Sequence, residues 1–112
     1  MKIAIIGTTT YRRTLMLMAQ KKLIAAGHDA KLPTFDGDLP TERHIVSNNR
    51  ALIEWSDEVH VYWDGRSVGT LCDIHTAYAL RKRLVIGYLE PMSFRNFVEQ
   101  YAAFGPDDPL VN

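Results

Sequence analysis

Cysteine is nearly absent from this chain: Cys72 stands alone among 112 residues. A single thiol excludes an intrachain disulfide and the cysteine sets that build zinc fingers. An excess of charge of either sign is missing too. Thirteen Lys and Arg balance thirteen Asp and Glu, for a formal net charge of zero, so no net field draws the chain to nucleic acid or to an anionic membrane. Uninterrupted apolar runs are only a few residues long, far short of the roughly 20 that cross a bilayer. The chain opens on Lys2-Ile3-Ala4-Ile5-Ile6 without the layout of a secretory signal. The expectation is a cytoplasmic protein with neither nucleic acid nor membrane as partner.

What is present suits one compact domain. Apolar residues make up 46% and charged residues 23%, enough for a core at this length. One α/β domain is expected over residues 1–104, followed by an irregular tail, 105–112, with two prolines and two aspartates.

Short apolar runs alternate with helical periodicity. Strands are expected at Lys2–Ile6, Asp29–Leu32, Glu58–Trp63 and Leu84–Tyr88. Helical spacing predicts a first helix from about Thr10 to Ala26, with Leu15, Met18, Ala19, Leu23 and Ala26 inward and Gly27 ending it. A second is predicted over about Thr41–Ser56, with Ile45, Asn49, Leu52 and Ile53 on one face. A third covers Thr70–Arg81 and a fourth Phe94–Ala103, while Thr34–Pro40 reads as a loop. Strand–helix alternation of this kind implies a parallel sheet of four to five strands, and apolar strands imply helices on both faces. The expected architecture is therefore a small Rossmann-like or flavodoxin-like domain. Ligands in such sheets bind beyond the carboxyl ends of the strands, where the strand order reverses.

Two strand-to-helix connections can hold chemistry. Gly7-Thr8-Thr9-Thr10-Tyr11-Arg12-Arg13 has one glycine, so it is neither a dinucleotide fingerprint nor a Walker loop. Its hydroxyls and arginines can meet an anion, or Thr10 can serve as an N-cap with Arg12 and Arg13 solvated. The second, Trp63-Asp64-Gly65-Arg66-Ser67-Val68-Gly69-Thr70-Leu71-Cys72-Asp73, offers close backbone approach at its glycines, hydroxyls from Ser67 and Thr70, and the charge of Arg66. The free N–H groups of a helix start add to these, a combination suited to phosphate. The bland alternative is a capping box, in which Asp73 folds back on the Thr70 amide.

Four histidines show no ligand spacing with Cys72 or the carboxylates, so no metal is expected. His60 reads as a core histidine, Asp36-Gly37-Asp38 as a turn, and Cys72 as a buried residue near the helix start. Tyr11, Tyr62, Trp63 and Tyr78 are candidates for a base-stacking slot. Phe94, Phe97 and Tyr101 fit a packing stripe or a subunit contact.

The stretch Asn49-Arg50-Ala51-Leu52-Ile53-Glu54-Trp55-Ser56-Asp57, then Gly65 to Gly69, Asp73, and Ala77-Tyr78-Ala79-Leu80-Arg81-Lys82 resembles the nucleoside 2-deoxyribosyltransferase-like superfamily. That group includes 2′-deoxynucleoside 5′-monophosphate N-glycosidases. The resemblance covers about a third of the chain directly. It implies that Asp73 stands where the family has a glutamate nucleophile, and that Ser67 stands where the monophosphate glycosidases bind the 5′-phosphate. Asn49 takes the place of an aspartate that helps hold the nucleophile. The implied ligand set is Gly7, Thr8, Tyr11, Asn49, Arg66, Ser67, Gly69 and Thr70, with no metal or organic cofactor and with a homo-oligomer of two or more copies. Two departures stand out: Asp73 is one methylene shorter than glutamate, and Asn49 is an amide rather than a carboxylate.

Three functions fit these residues. The first is an N-glycosidase or ribosyl-transferring enzyme acting on a nucleoside 5′-monophosphate or related nucleotide. The second is a nucleotide-binding or sensing module of the same fold without turnover. The third is a structural or partner-binding domain in which Thr70–Asp73 only caps a helix.

Overall fold

The computed structural model describes residues 1–33, 41–91 and 94–107, except for the side chains of residues 9–12. The expected loop over residues 34–40, with its Asp36-Gly37-Asp38 turn, lies outside the described residues, as do residues 108–112 of the expected tail. The elements run β1 (Lys2–Gly7), α1 (Thr9–Ala25), β2 (Asp29–Lys31), α2 (Glu42–Trp55), β3 (Glu58–Trp63), α3 (Val68–Ala79), β4 (Arg83–Leu89) and α4 (Arg95–Phe104). The four described strands form one parallel sheet in the order β2-β1-β3-β4. The chain steps from β1 to β2 on one side and then crosses to β3 on the other. The order therefore reverses between β1 and β3, and a cleft opens there above the carboxyl ends of the strands.

Burial explains the layering. Ala4, Ile6, Val59, Val61, Trp63 and Leu84 of the sheet pack with Ile53 of α2, Ile74 and Ala77 of α3, and Val98 and Tyr101 of α4. Ile3, Ile5 and Ala30 instead meet Met16 of α1. Helices thus cover both faces, as expected, but unequally: three on one face and α1 on the other. Strand β3 departs from the expected two-sided burial. Its Val59, Val61 and Trp63 are buried while Glu58, His60 and Tyr62 between them are only half-buried. These alternating polar and amphipathic residues tolerate water on the less covered face. There His60 Nε2 bonds Glu58 Oε1 at 2.7 Å, so the histidine is a satisfied structural residue.

Two expectations about helix ends and faces are corrected. In α1 the inward residue is Met16, fully buried, with Ala19 and Leu23 packed beside it, whereas Leu15 and Met18 face solvent. Apolar residues occur all round this helix, so spacing alone cannot choose the face. The helix starts at Thr9 with Thr8 as its cap position, so Thr10 lies inside it. Its end follows the expectation. Gly27 has φ +94°, and the amides of Gly27 and His28 donate to Ile24 and Leu23 carbonyls at 3.0 Å, which is a Schellman closure.

Other parts of the family-like stretch hold the fold together. Asp57 Oδ2 accepts from the Lys2 amide at 2.8 Å. Lys82 Nζ donates to the carbonyls of Glu54 and Ser56, satisfying the end of α2. Among the described residues no helix is long and apolar enough to cross a membrane.

Candidate functional site

The loop between β3 and α3 organises itself around Asp64. Its Oδ1 accepts from the amides of Arg66 and Ser67, each at 2.9 Å, while Gly65 takes φ +77°. Partial burial opposes ionisation of Asp64, but the amides of Ser67 and Arg66 outweigh it and hold the carboxyl below its ordinary range. Trp63 Nε1 donates to the Ser67 carbonyl at 2.9 Å. These bonds fix Ser67 at the N-cap of α3, where its Oγ accepts from the Thr70 amide at 3.4 Å and the Thr70 hydroxyl at 3.2 Å. The expected cap at Thr70, with Asp73 folded back on it, does not form. The helix starts two residues earlier, at Val68, and Ser67 takes the capping role. That shift carries Asp73 into the second turn and frees its carboxylate from helix capping.

Asp73 points inward and is 8% exposed. Its Oδ2 accepts from Asn49 Nδ2 of α2 at 3.1 Å, a buried bond between residues 24 apart in the chain. Burial raises the Asp73 carboxyl to about 7, against the lowering effect of the Asn49 bond. Asn49 itself is 8% exposed, and its Oδ1 has no hydrogen-bond partner. Holding such an atom costs about 1–3 kcal/mol, and what is obtained for it is a fixed amide beside the carboxylate.

These residues line a cavity of about 380 Å³ between the first turns of α2 and α3 and the end of β1. Gly7, Thr8, Asn49, Ser67, Gly69, Thr70 and Asp73 all border it, so the folding chain brings seven of the nine expected site residues together. Gly7 is required by close approach: a Cβ there would sit 2.3 Å from the Tyr62 carbonyl oxygen, to which the Thr8 amide donates at 2.9 Å. Arg66 is a correction, being exposed and absent from the lining. Its amide donates to Asp64 Oδ1 at 2.9 Å. Tyr11 is the ninth, and its side chain lies outside the described residues.

Nor do the described aromatic candidates form a stacking slot. Trp63 is 2% exposed and belongs to the core. Tyr78 meets Phe97 and Tyr101 edge-on at 5.3 and 5.2 Å. The Tyr62 ring lies over Gly87. Cys72 is exposed at the cavity edge rather than buried. Sequence reasoning missed Glu42, Val46 and Val68 in the lining. The signal was available: Glu42 and Val46 precede Asn49 by seven and three residues, on the same helical face.

The arrangement is that of a parallel, Rossmann-like α/β domain with a cleft at its switch point. Its particular likeness is to the solved structure of the CMP N-glycosidase BcmB from Clostridium botulinum. The TM-score is 0.70 at 12% sequence identity, over 89% of this chain and 82% of that one. No protein-family model matches the sequence, and no curated protein matches it either.

Proposed function

We propose that the chain is a nucleotide N-glycosidase that acts on a nucleoside 5′-monophosphate through Asp73. One observation carries this reading: a buried carboxylate, gripped by an amide on one oxygen, at the base of a cavity bordered by a helix start. The Gly69 amide lies at the start of α3, where helical geometry leaves N–H groups unpaired, and with the Ser67 hydroxyl it suits the 5′-phosphate. With Oδ2 held by Asn49, Oδ1 of Asp73 is the oxygen that attacks the anomeric carbon. The C1′–N bond breaks, and the base leaves with its electron pair and takes a proton from solvent. The resulting ester is opened by water, which yields the sugar 5-phosphate and restores the carboxylate. Asn49 favours the ionised, attacking form without adding a second negative charge, which the family's aspartate would do.

A pure binding module is the second reading, favoured by a carboxyl raised to about 7, which is half neutral near physiological pH. The two separate on one experiment. Purified protein is incubated with each common ribo- and deoxyribonucleoside 5′-monophosphate, and free base is followed by chromatography beside thermal stability. Base release that disappears in Asp73→Ala establishes the glycosidase. Thermal stabilisation without base establishes the binding module, and neither result removes both.

A further inference from the structure

The phosphate and the reacting carbon leave Val46, Val68 and Glu42 of the cavity lining unassigned. Val46 is 54% exposed and Val68 71% exposed, and both border the cavity. They stand on its two walls, Val46 on α2 and Val68 at the start of α3. Glu42 borders it as well, one turn beyond Val46. Along α2, Glu42 lies about 10 Å from the level of Asn49 and Val46 about 4.5 Å. Val68 precedes Asp73 by five residues, or about 7.5 Å along α3. Beneath Asp73 the core closes with Ile53 and Ile74, both fully buried. A nucleotide whose anomeric carbon meets Asp73 can direct its base outward between the two valines.

Glu42 is not needed for capping there, because Thr41 accepts from the His44 amide in that role. Among the described residues Glu42 has no hydrogen-bond or ion-pair partner. An ionised carboxylate only accepts hydrogen bonds. A base edge carrying an amino group, such as cytosine N4 or adenine N6, supplies the donor, whereas a carbonyl at the same place sets acceptor against acceptor.

We propose that Val46 and Val68 wall a nucleobase slot read at its outer end by Glu42, which selects bases with an exocyclic amino group. This rests on the nucleotide reading above and adds the base class to it. The valines cover the ring faces without aromatic stacking, and the carboxylate sets the preference.

Calorimetric titration tests it on the full chain carrying Asp73→Asn, which blocks turnover and keeps an acceptor for Asn49. The probes are the pairs CMP and UMP, AMP and IMP, with ribose 5-phosphate as the base-free control. Amino-bearing members are expected to bind about 10- to 100-fold more tightly than their oxo partners. Adding Glu42→Gln, whose amide can donate or accept, is expected to reduce that ratio to near one. Adding Val68→Ser is expected to weaken the nucleotides while sparing ribose 5-phosphate. Equal binding within each pair overturns the role of Glu42 although the nucleotide reading survives. Binding of ribose 5-phosphate no weaker than any nucleotide overturns the slot. Failure of all five probes to bind removes the nucleotide reading itself.

Discussion

Asn49 Nδ2 and Asp73 Oδ2 meet at 3.1 Å inside the cleft between α2 and α3, and that contact joins the helix preceding β3 to the helix following it. The bond leaves one carboxylate oxygen available and biases the carboxyl towards its charged form. Burial works against it and wins, holding the group near 7.

The first prediction concerns stability. The folded carboxyl titrates near 7 while the ordinary value is 3.8, so between about pH 4 and 7 the native state binds more protons than the unfolded chain. Stability should fall as pH rises through that window and level off above it, by up to roughly 4 kcal/mol. Urea denaturation at pH 5 and pH 8 measures the part of it above pH 5, roughly 3 kcal/mol. The Asp73→Asn chain should lose most of it, and a slope that persists in that variant would assign the titration elsewhere.

On the proposed glycosidase reading, turnover depends on the same group with the opposite sign. Base release requires the ionised carboxylate, so its rate should climb with pH through about 7. Asn49→Leu removes the donor that favours ionisation, and Asn49→Asp adds a like charge beside it. Both should move the midpoint of the pH–rate profile upward. A profile unmoved by either change would separate Asn49 from the carboxyl's ionisation.

Ser67→Ala removes the α3 cap and should cost about 1 kcal/mol of stability, whereas Thr70→Ala should cost less because Thr70 is not the cap. Ser67→Ala should also weaken a nucleoside 5′-monophosphate more than the matching nucleoside. Equal losses for the two would remove Ser67 from phosphate recognition.

Gly7 and Gly87 make separable predictions, both directed at Tyr62. A Cβ at Gly7 meets the Tyr62 carbonyl oxygen at 2.3 Å, and one at Gly87 meets its ring at 2.3 Å. Each alanine substitution should destabilise by about 1–3 kcal/mol. Adding Tyr62→Ala should recover much of the loss for Gly87→Ala and little for Gly7→Ala, because backbone cannot be trimmed. Thermal unfolding of the single and double variants checks this, and equal rescue at both sites would contradict the assigned contacts.

How far these contacts could be foreseen differed from residue to residue. Asn49 was legible as an amide turned inward, because it interrupts the apolar stripe of Ile45, Leu52 and Ile53. The resemblance sets it beside the position of Asp73, and the crossing of α2 and α3 brings the two into contact. Arg66 looked suited to phosphate by charge, yet in the folded loop it is exposed and does not border the cavity. Trp63 looked available at the end of β3, but the two-residue period of the strand directs it into the core with Val59 and Val61.

By itself the sequence determined the order of strands and helices, the parallel sheet and the end of the sheet where the cavity lies. These follow from apolar periodicity, glycine punctuation and the handedness of crossovers, which act over one or two turns of chain or bind every fold of this kind. Tertiary structure alone decided which hydroxyl caps α3, which face of α1 is buried, and which oxygen of Asp73 the Asn49 amide holds. Ser67 and Thr70 are both competent caps, α1 is apolar all round, and 24 residues separate the amide from its carboxylate. Each outcome depends on how helices rotate and cross when the core packs, which no local spacing encodes.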